Sequence, residues 1–155
     1  MNNFNYHRNM SDNPFIDKAI QVLKLSPLKI TSQRVRLIEI LFKNGNCHFT
    51  AEDVHKEVEK KKYKISLATI YNCLNQFTHH GILKSVKVSS DKIYFDTNTD
   101  THHHFFCKNS EKLTDIKSGD IVISDLPQLP EGKKLESVEV VVNIKDWYWL
   151  SLSLN

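Results

Sequence analysis

No stretch of this 155-residue chain approaches the run of about 18 apolar residues that a membrane span requires, and its N-terminus, MNNFNYHRNMSDNP, lacks the apolar core of a secretory signal. A cytoplasmic protein with no membrane partner is expected. Cysteine is scarce: Cys47, Cys73 and Cys107 are odd in number and share no short spacing, which argues against a disulfide framework and fits a reducing compartment. The same scarcity excludes a structural four-cysteine zinc site, because Cys107 opens CKNS and no cysteine follows it. Cys107 is then a buried thiol or an auxiliary soft ligand. The chain has no HExxH, no nucleophile elbow and no phosphate loop, so a metal-dependent hydrolase, the rival use of histidines and carboxylates, finds no motif. With 40% hydrophobic residues, enough apolar material remains for a real core.

Charge is divided along the chain. Residues 1–96 hold 15 Lys/Arg and 9 Asp/Glu, a net of +6, whereas residues 97–155 hold 6 and 9, a net of −3. A basic half that binds a polyanion, joined to an acidic half with another task, is one reading; chance variation between small domains is the other.

In the basic half, apolar spacing predicts a helix over residues 14–25 and a second one after the N-cap Thr31, with Val35, Ile38, Leu41 and Phe42 as its stripe. Thr50-Ala-Glu-Asp53 has the form of a capping box and predicts a third helix, with His48 at its start. Ser66 caps a fourth, running to about Thr78, with Gly81 as its stop. ILKSVKV and KIYFD then alternate around residues 89–91 as a β-hairpin. Helices followed at once by a hairpin give a winged helix-turn-helix, whose fourth helix enters the DNA major groove. Ser66, Thr69, Tyr71 and Asn72 suit base edges and thymine methyl groups there. Lys29, Arg34, Arg36, Lys60, Lys61, Lys62 and Lys64 suit phosphates, although KKKYK alone also reads as a solvated loop.

In the acidic half, THHHFFCK and EKLTDI predict two short strands with a turn near Asn109 and Ser110, then a short helical stretch over residues 119–125, then a long strand in LESVEVVVNI. So small an α/β unit buries little surface, and a symmetric homodimer is the natural remedy, one that also presents two winged helices to a two-fold related operator. In a strand, His102 and His104 share one face and His103 takes the other, so two imidazoles can reach one ion. Asp96 and Asp115, on neighbouring strands, and His48 add donors. Imidazoles with hard carboxylates suit Fe(II), Mn(II) or Zn(II), and a merely polar strand is the plain alternative.

These stretches, in order LKITSQRVRLIEIL, HFTAEDVHKEV, SLATIYNCLNQFTHHGIL, KIYFDT, HHHFFC and LTDI, resemble the ferric uptake regulator superfamily of metal-responsive DNA-binding repressors over residues 14–147. The resemblance implies an α+β protein: a flexible N-terminus at 1–13, an N-terminal winged helix-turn-helix at 14–96, a small α/β dimerisation and sensing domain at 97–147, and a C-terminal tail at 148–155. It places the regulatory metal on His48, Asp96, His102, His104 and Asp115, major-groove contacts on Tyr71 and Asn72, and a minor-groove contact on Lys29. CKNS in place of CxxC, and no C-terminal cysteine pair, look most like the iron response regulator subgroup, which lacks structural zinc. That likeness implies control of iron and haem homeostasis, with haem, or an enzyme that delivers it, as the signal. No cysteine precedes a proline, so haem is expected at His102, His103 and His104. The aspartates at 96 and 115 also resemble the peroxide-sensing branch, whose iron site oxidises its own histidines.

The expected function is therefore a homodimeric transcription regulator, not an enzyme, that binds AT-rich, two-fold related double-stranded DNA and changes affinity when metal or haem fills the histidine site. Peroxide-sensing and manganese- or zinc-responsive repressors are the alternatives within the superfamily. A metal or haem storage protein without DNA binding is the distant one.

Overall fold

The computed structural model describes residues 12–88 and 92–147. The predicted hairpin turn at 89–91, the tail at 148–155 and residues 1–11 of the N-terminal segment lie outside them. The chain divides into two units, Met1–Thr99 and Asp100–Asn155.

Each helix of the first unit starts where a side chain can take over the unpaired amides of its first turn. Asn13 caps α1 (Pro14–Leu25) and at the same time donates its side-chain amide to the carbonyls of Phe42 and Lys43, which ties the start of α1 to the end of α2. Thr31 caps α2 (Ser32–Leu41), and Thr50 with Asp53 closes a reciprocal capping box on α3 (Ala51–Lys60). Ser66 caps α4 (Leu67–His79). The apolar stripes meet in one core in which Leu23, Leu37, Ile38, Val58, Ile70, Leu74, Phe77 and Phe95 are fully buried. Gly81, at φ +71°, turns the chain out of α4 while the carbonyl of Phe77 accepts from the amides of Ile82 and Leu83.

A three-stranded antiparallel sheet completes this unit. β2 (Lys84–Lys87) and β3 (Ile93–Asp96) form the predicted hairpin, and β1 (His48–Phe49) pairs with the other edge of β3. His48, expected at the start of the third helix, sits on a short strand just ahead of that helix's Thr50 cap. Pairing with β3 sets its conformation.

The second unit is a small sheet in the order β5-β4-β6. β4 (His103–Cys107) pairs antiparallel with β5 (Lys112–Ile116) and parallel with β6 (Val141–Ile144). Phe106, Cys107, Leu113 and Ile116 are its buried residues of hydrophobic type. A parallel pair needs a long crossover, which residues 117–140 supply without forming a helix. The helical stretch predicted at 119–125 is a turn and bend running into irregular backbone instead: Gly119 lies at φ +93°, β-branched residues follow it, and Pro127 and Pro130 cannot donate to a helical ladder. The strand predicted in LESVEVVVNI shortens to its last four residues, those that reach β4. No helix among the described residues is long and apolar enough to cross a membrane.

Candidate metal centre and nucleic-acid interface

In the first unit the antiparallel register sets His48 opposite Asp96. The His48 Nε2 lies 3.3 Å from the Asp96 Oδ2, and Asp96 is fully buried. The other oxygen, Oδ1, accepts the Asn98 amide at 2.7 Å. Thr97 secures the strand ends, its Oγ1 accepting the Cys47 amide at 2.8 Å and its own amide donating to the Cys47 carbonyl. A carboxylate removed from water needs a positive partner. Here an imidazole faces it, which serves as that partner when protonated or when it shares a cation with the carboxylate. Burial pushes the thiols of Cys47 and Cys73 up, so both stay protonated and neither supplies a thiolate.

In the second unit strand alternation does the positioning. His104 is fully buried, His102 is nearly so, and their rings lie 4.4 Å apart. Asp115 is the β5 partner of His104 in the ladder. Its Oδ1 lies 3.1 Å from the His102 Nε2 and 3.6 Å from the His104 Nε2. The His102 Nδ1 meets the Asp100 carbonyl at 2.7 Å. A carbonyl only accepts, so Nδ1 carries the proton and a neutral His102 turns an Nε2 lone pair toward a carboxylate. Three Lewis bases thus converge where a cation belongs. Ligands about 2.1 Å from an ion at tetrahedral or octahedral angles lie roughly 3.0–3.4 Å apart, close to the spacings seen here, so the trio fits a divalent metal. An ion bound there would set positive charge against the Asp115 carboxylate.

His103, on the opposite face, is committed elsewhere. Its Nδ1 accepts the Val140 amide at 3.2 Å, so a neutral ring keeps its proton on Nε2 and has no lone pair left for haem iron. Cys107 is buried and donates its Sγ to the Asp146 Oδ1 at 3.3 Å.

The predicted DNA-contacting residues gather in the first unit. α4 buries Ile70, Cys73, Leu74 and Phe77 and exposes Tyr71 and Asn72. The Tyr71 hydroxyl donates to the Glu52 Oε1 of α3 at 2.6 Å, a bond that raises the phenol and lowers the carboxyl from their ordinary values. Ser66 and Thr69 use their hydroxyls on one another and on the helix start. Lys29, Lys62 and Lys64 are exposed, Lys62 at φ +55° in the turn after α3. Arg34 donates to the Lys29 carbonyl and, at 2.6 Å, to the Gln76 Oε1 of α4, while the Arg36 guanidinium lies over the Tyr63 ring at 4.7 Å. Both arginines therefore brace the loops that carry the lysines.

Residues 26–143 match the family model described as Ferric uptake regulator family. The chain belongs to the ferric uptake regulator family. It is 35% identical over 101 residues, 65% of this chain and 69% of the other, to the peroxide operon regulator of Bacillus subtilis (strain 168). It is likewise 35% identical over 108 residues, 68% of this chain and 72% of the other, to the ferric uptake regulation protein of Haemophilus ducreyi. Among solved structures, the manganese-containing ferric uptake regulator of Pseudomonas aeruginosa shares the fold at a TM-score of 0.65 and 21% identity, covering 83% of this chain and 98% of that one. Members of the family are DNA-binding, metal-responsive transcription regulators, and this chain is one of them.

For this ferric uptake regulator family member, sequence reasoning passed over Glu52, which bonds Tyr71, and Asn75 and Gln76, which share its exposed face of α4. Asn75 and Gln76 are exposed one helical turn beyond Tyr71 and Asn72, a spacing legible in the sequence. Glu52 had no such signal, since its partner lies on another helix.

Proposed function

We propose that a divalent ion held by His102, His104 and Asp115, with His48 and Asp96 completing its ligands, controls how a homodimer of this chain binds an AT-rich, two-fold related operator. The observation that carries the reading is the His102 ring: its Nδ1 is committed to the Asp100 carbonyl, so its Nε2 and that of His104 turn toward one Asp115 oxygen. Three ligands leave such an ion short of its usual four to six, and the half-buried His48 with the buried Asp96 has the same donor chemistry. Exposed Tyr71, Asn72 and the lysines around them supply the groove and phosphate contacts. The exposed apolar residues of the second unit, Val122, Leu126, Leu135 and Ile144 among them, suit burial against a second copy. Titrating a selected operator duplex with and without Mn(II) tests this reading. The ion is expected to tighten binding at least tenfold for the native protein and to change nothing for H102A/H104A; an undiminished Mn(II) response in that variant defeats it.

A second reading, peroxide sensing by bound Fe(II), is favoured by the all-aspartate oxygen donors and by the likeness to the peroxide operon regulator of Bacillus subtilis. It predicts that peroxide adds one oxygen atom to a ligand histidine of the Fe(II) form and none to the Mn(II) form, read by peptide mass spectrometry. The iron response reading makes haem the effector instead. The engaged Nδ1 lone pair of His103 weighs against haem ligation by that residue, and a haem arm in the same DNA titration decides it.

A further inference from the structure

Glu52 has no part in the DNA contacts proposed above, yet it is hydrogen-bonded to a residue that makes one of them. It is exposed in the first turn of α3, and its Oε1 accepts the Tyr71 hydroxyl at 2.6 Å. The later glutamates of α3 pair within their own helix, Glu57 with Lys60 and Glu59 with His55, whereas Glu52 reaches across to α4. A phenol has one proton to donate and lone pairs to accept with. Once that proton is given to Glu52, Tyr71 offers DNA only an accepting oxygen and an apolar ring. In the major groove adenine and cytosine present amino donors and thymine a methyl group, whereas guanine presents two acceptors.

We propose that Glu52 is a specificity-determining positioning residue that, by holding the Tyr71 proton, makes Tyr71 a reader of amino-bearing bases and thymine methyl groups and turns it away from guanine. The proposal rests on the reading that α4 enters the major groove. The same bond favours the phenol over the phenolate and the carboxylate over the carboxylic acid, which keeps the donor and acceptor roles fixed near neutral pH. It has a cost, because a carboxylate near the phosphates opposes binding to any sequence.

The test selects duplexes from a randomised pool with the full-length, Mn(II)-loaded protein and sequences the bound fraction for the native chain, E52A, E52Q, Y71F and E52A/Y71F. E52A is expected to tighten binding to all duplexes and to admit guanine at one position of the site, with discrimination there falling about tenfold. E52Q removes the charge but keeps an acceptor for the hydroxyl, so it tightens binding and preserves the preference. Y71F, which keeps the ring, loses the preference at the same position, and E52A adds nothing to it there. If E52A and E52Q change every duplex by one common factor while Y71F alone alters the preference, Glu52 is only a surface charge and the proposal falls, with the groove reading intact. If neither E52A nor Y71F changes the selected sequence, the groove reading fails and takes the proposal with it.

Discussion

A histidine reveals its tautomer when one ring nitrogen meets a group that can only accept or only donate, and two consecutive histidines do so here with opposite outcomes. His102 spends its proton on the Asp100 carbonyl and keeps a lone pair for a cation, whereas His103 spends its lone pair on the Val140 amide. The sequence HHH gives no hint of that division. Asp115 is the third donor, and D115N is expected to weaken Mn(II) binding at least tenfold by calorimetry, since even partners one step removed from an ion are worth about 10- to 100-fold. The Tyr71 bond has its own pH window. The Glu52 carboxyl is lowered from 4.5, so its contribution is present above that value and fades as the pH falls through the folded value. The Tyr71 phenol is raised from 10.0, so its contribution is complete below that value and is lost as the pH rises through the folded value. Ultraviolet titration is expected to show one tyrosine ionising later in the native chain than in E52A.

At the scale of elements, the helices were legible because local chemistry settles them. Caps at Thr31, Thr50 and Ser66 and an apolar stripe every three to four residues mark α1 to α4 without any knowledge of what they pack on. T50A is expected to cost about 1 kcal/mol by loss of the capping box, and F77A roughly 3–5 kcal/mol by emptying the centre of the first core, both read from urea midpoints. Strands were harder, because a strand exists only where a partner edge exists. β1 and the shortened β6 were decided by β3 and β4, tens of residues away. The donors His102, His104 and Asp115 were readable from alternation and residue type, while the bracing roles of Arg34 and Arg36 depend on contacts with Gln76 and Tyr63 that spacing does not encode.

For the whole molecule, the division between a half of net charge +6 and one of −3 agrees with the proposal that the first unit meets the DNA. Binding to duplex DNA is expected to weaken steeply with salt, and K62A to reduce the slope of log K against log salt by about 1 without changing sequence preference. An ion that binds only the folded protein adds about 2.7 kcal/mol at a hundredfold excess over its dissociation constant, so Mn(II) is expected to raise the melting temperature and a chelator to reverse it. The parallel pairing of β4 with β6 has a further consequence, one of timing. The ribosome delivers β4 and β5 in immediate succession, so the β4–β5 hairpin, and with it His102, His104 and Asp115, can close while residues 117–140 are still being made. β6 arrives last, and a nascent chain paused before residue 141 would already carry the trio proposed to capture the ion.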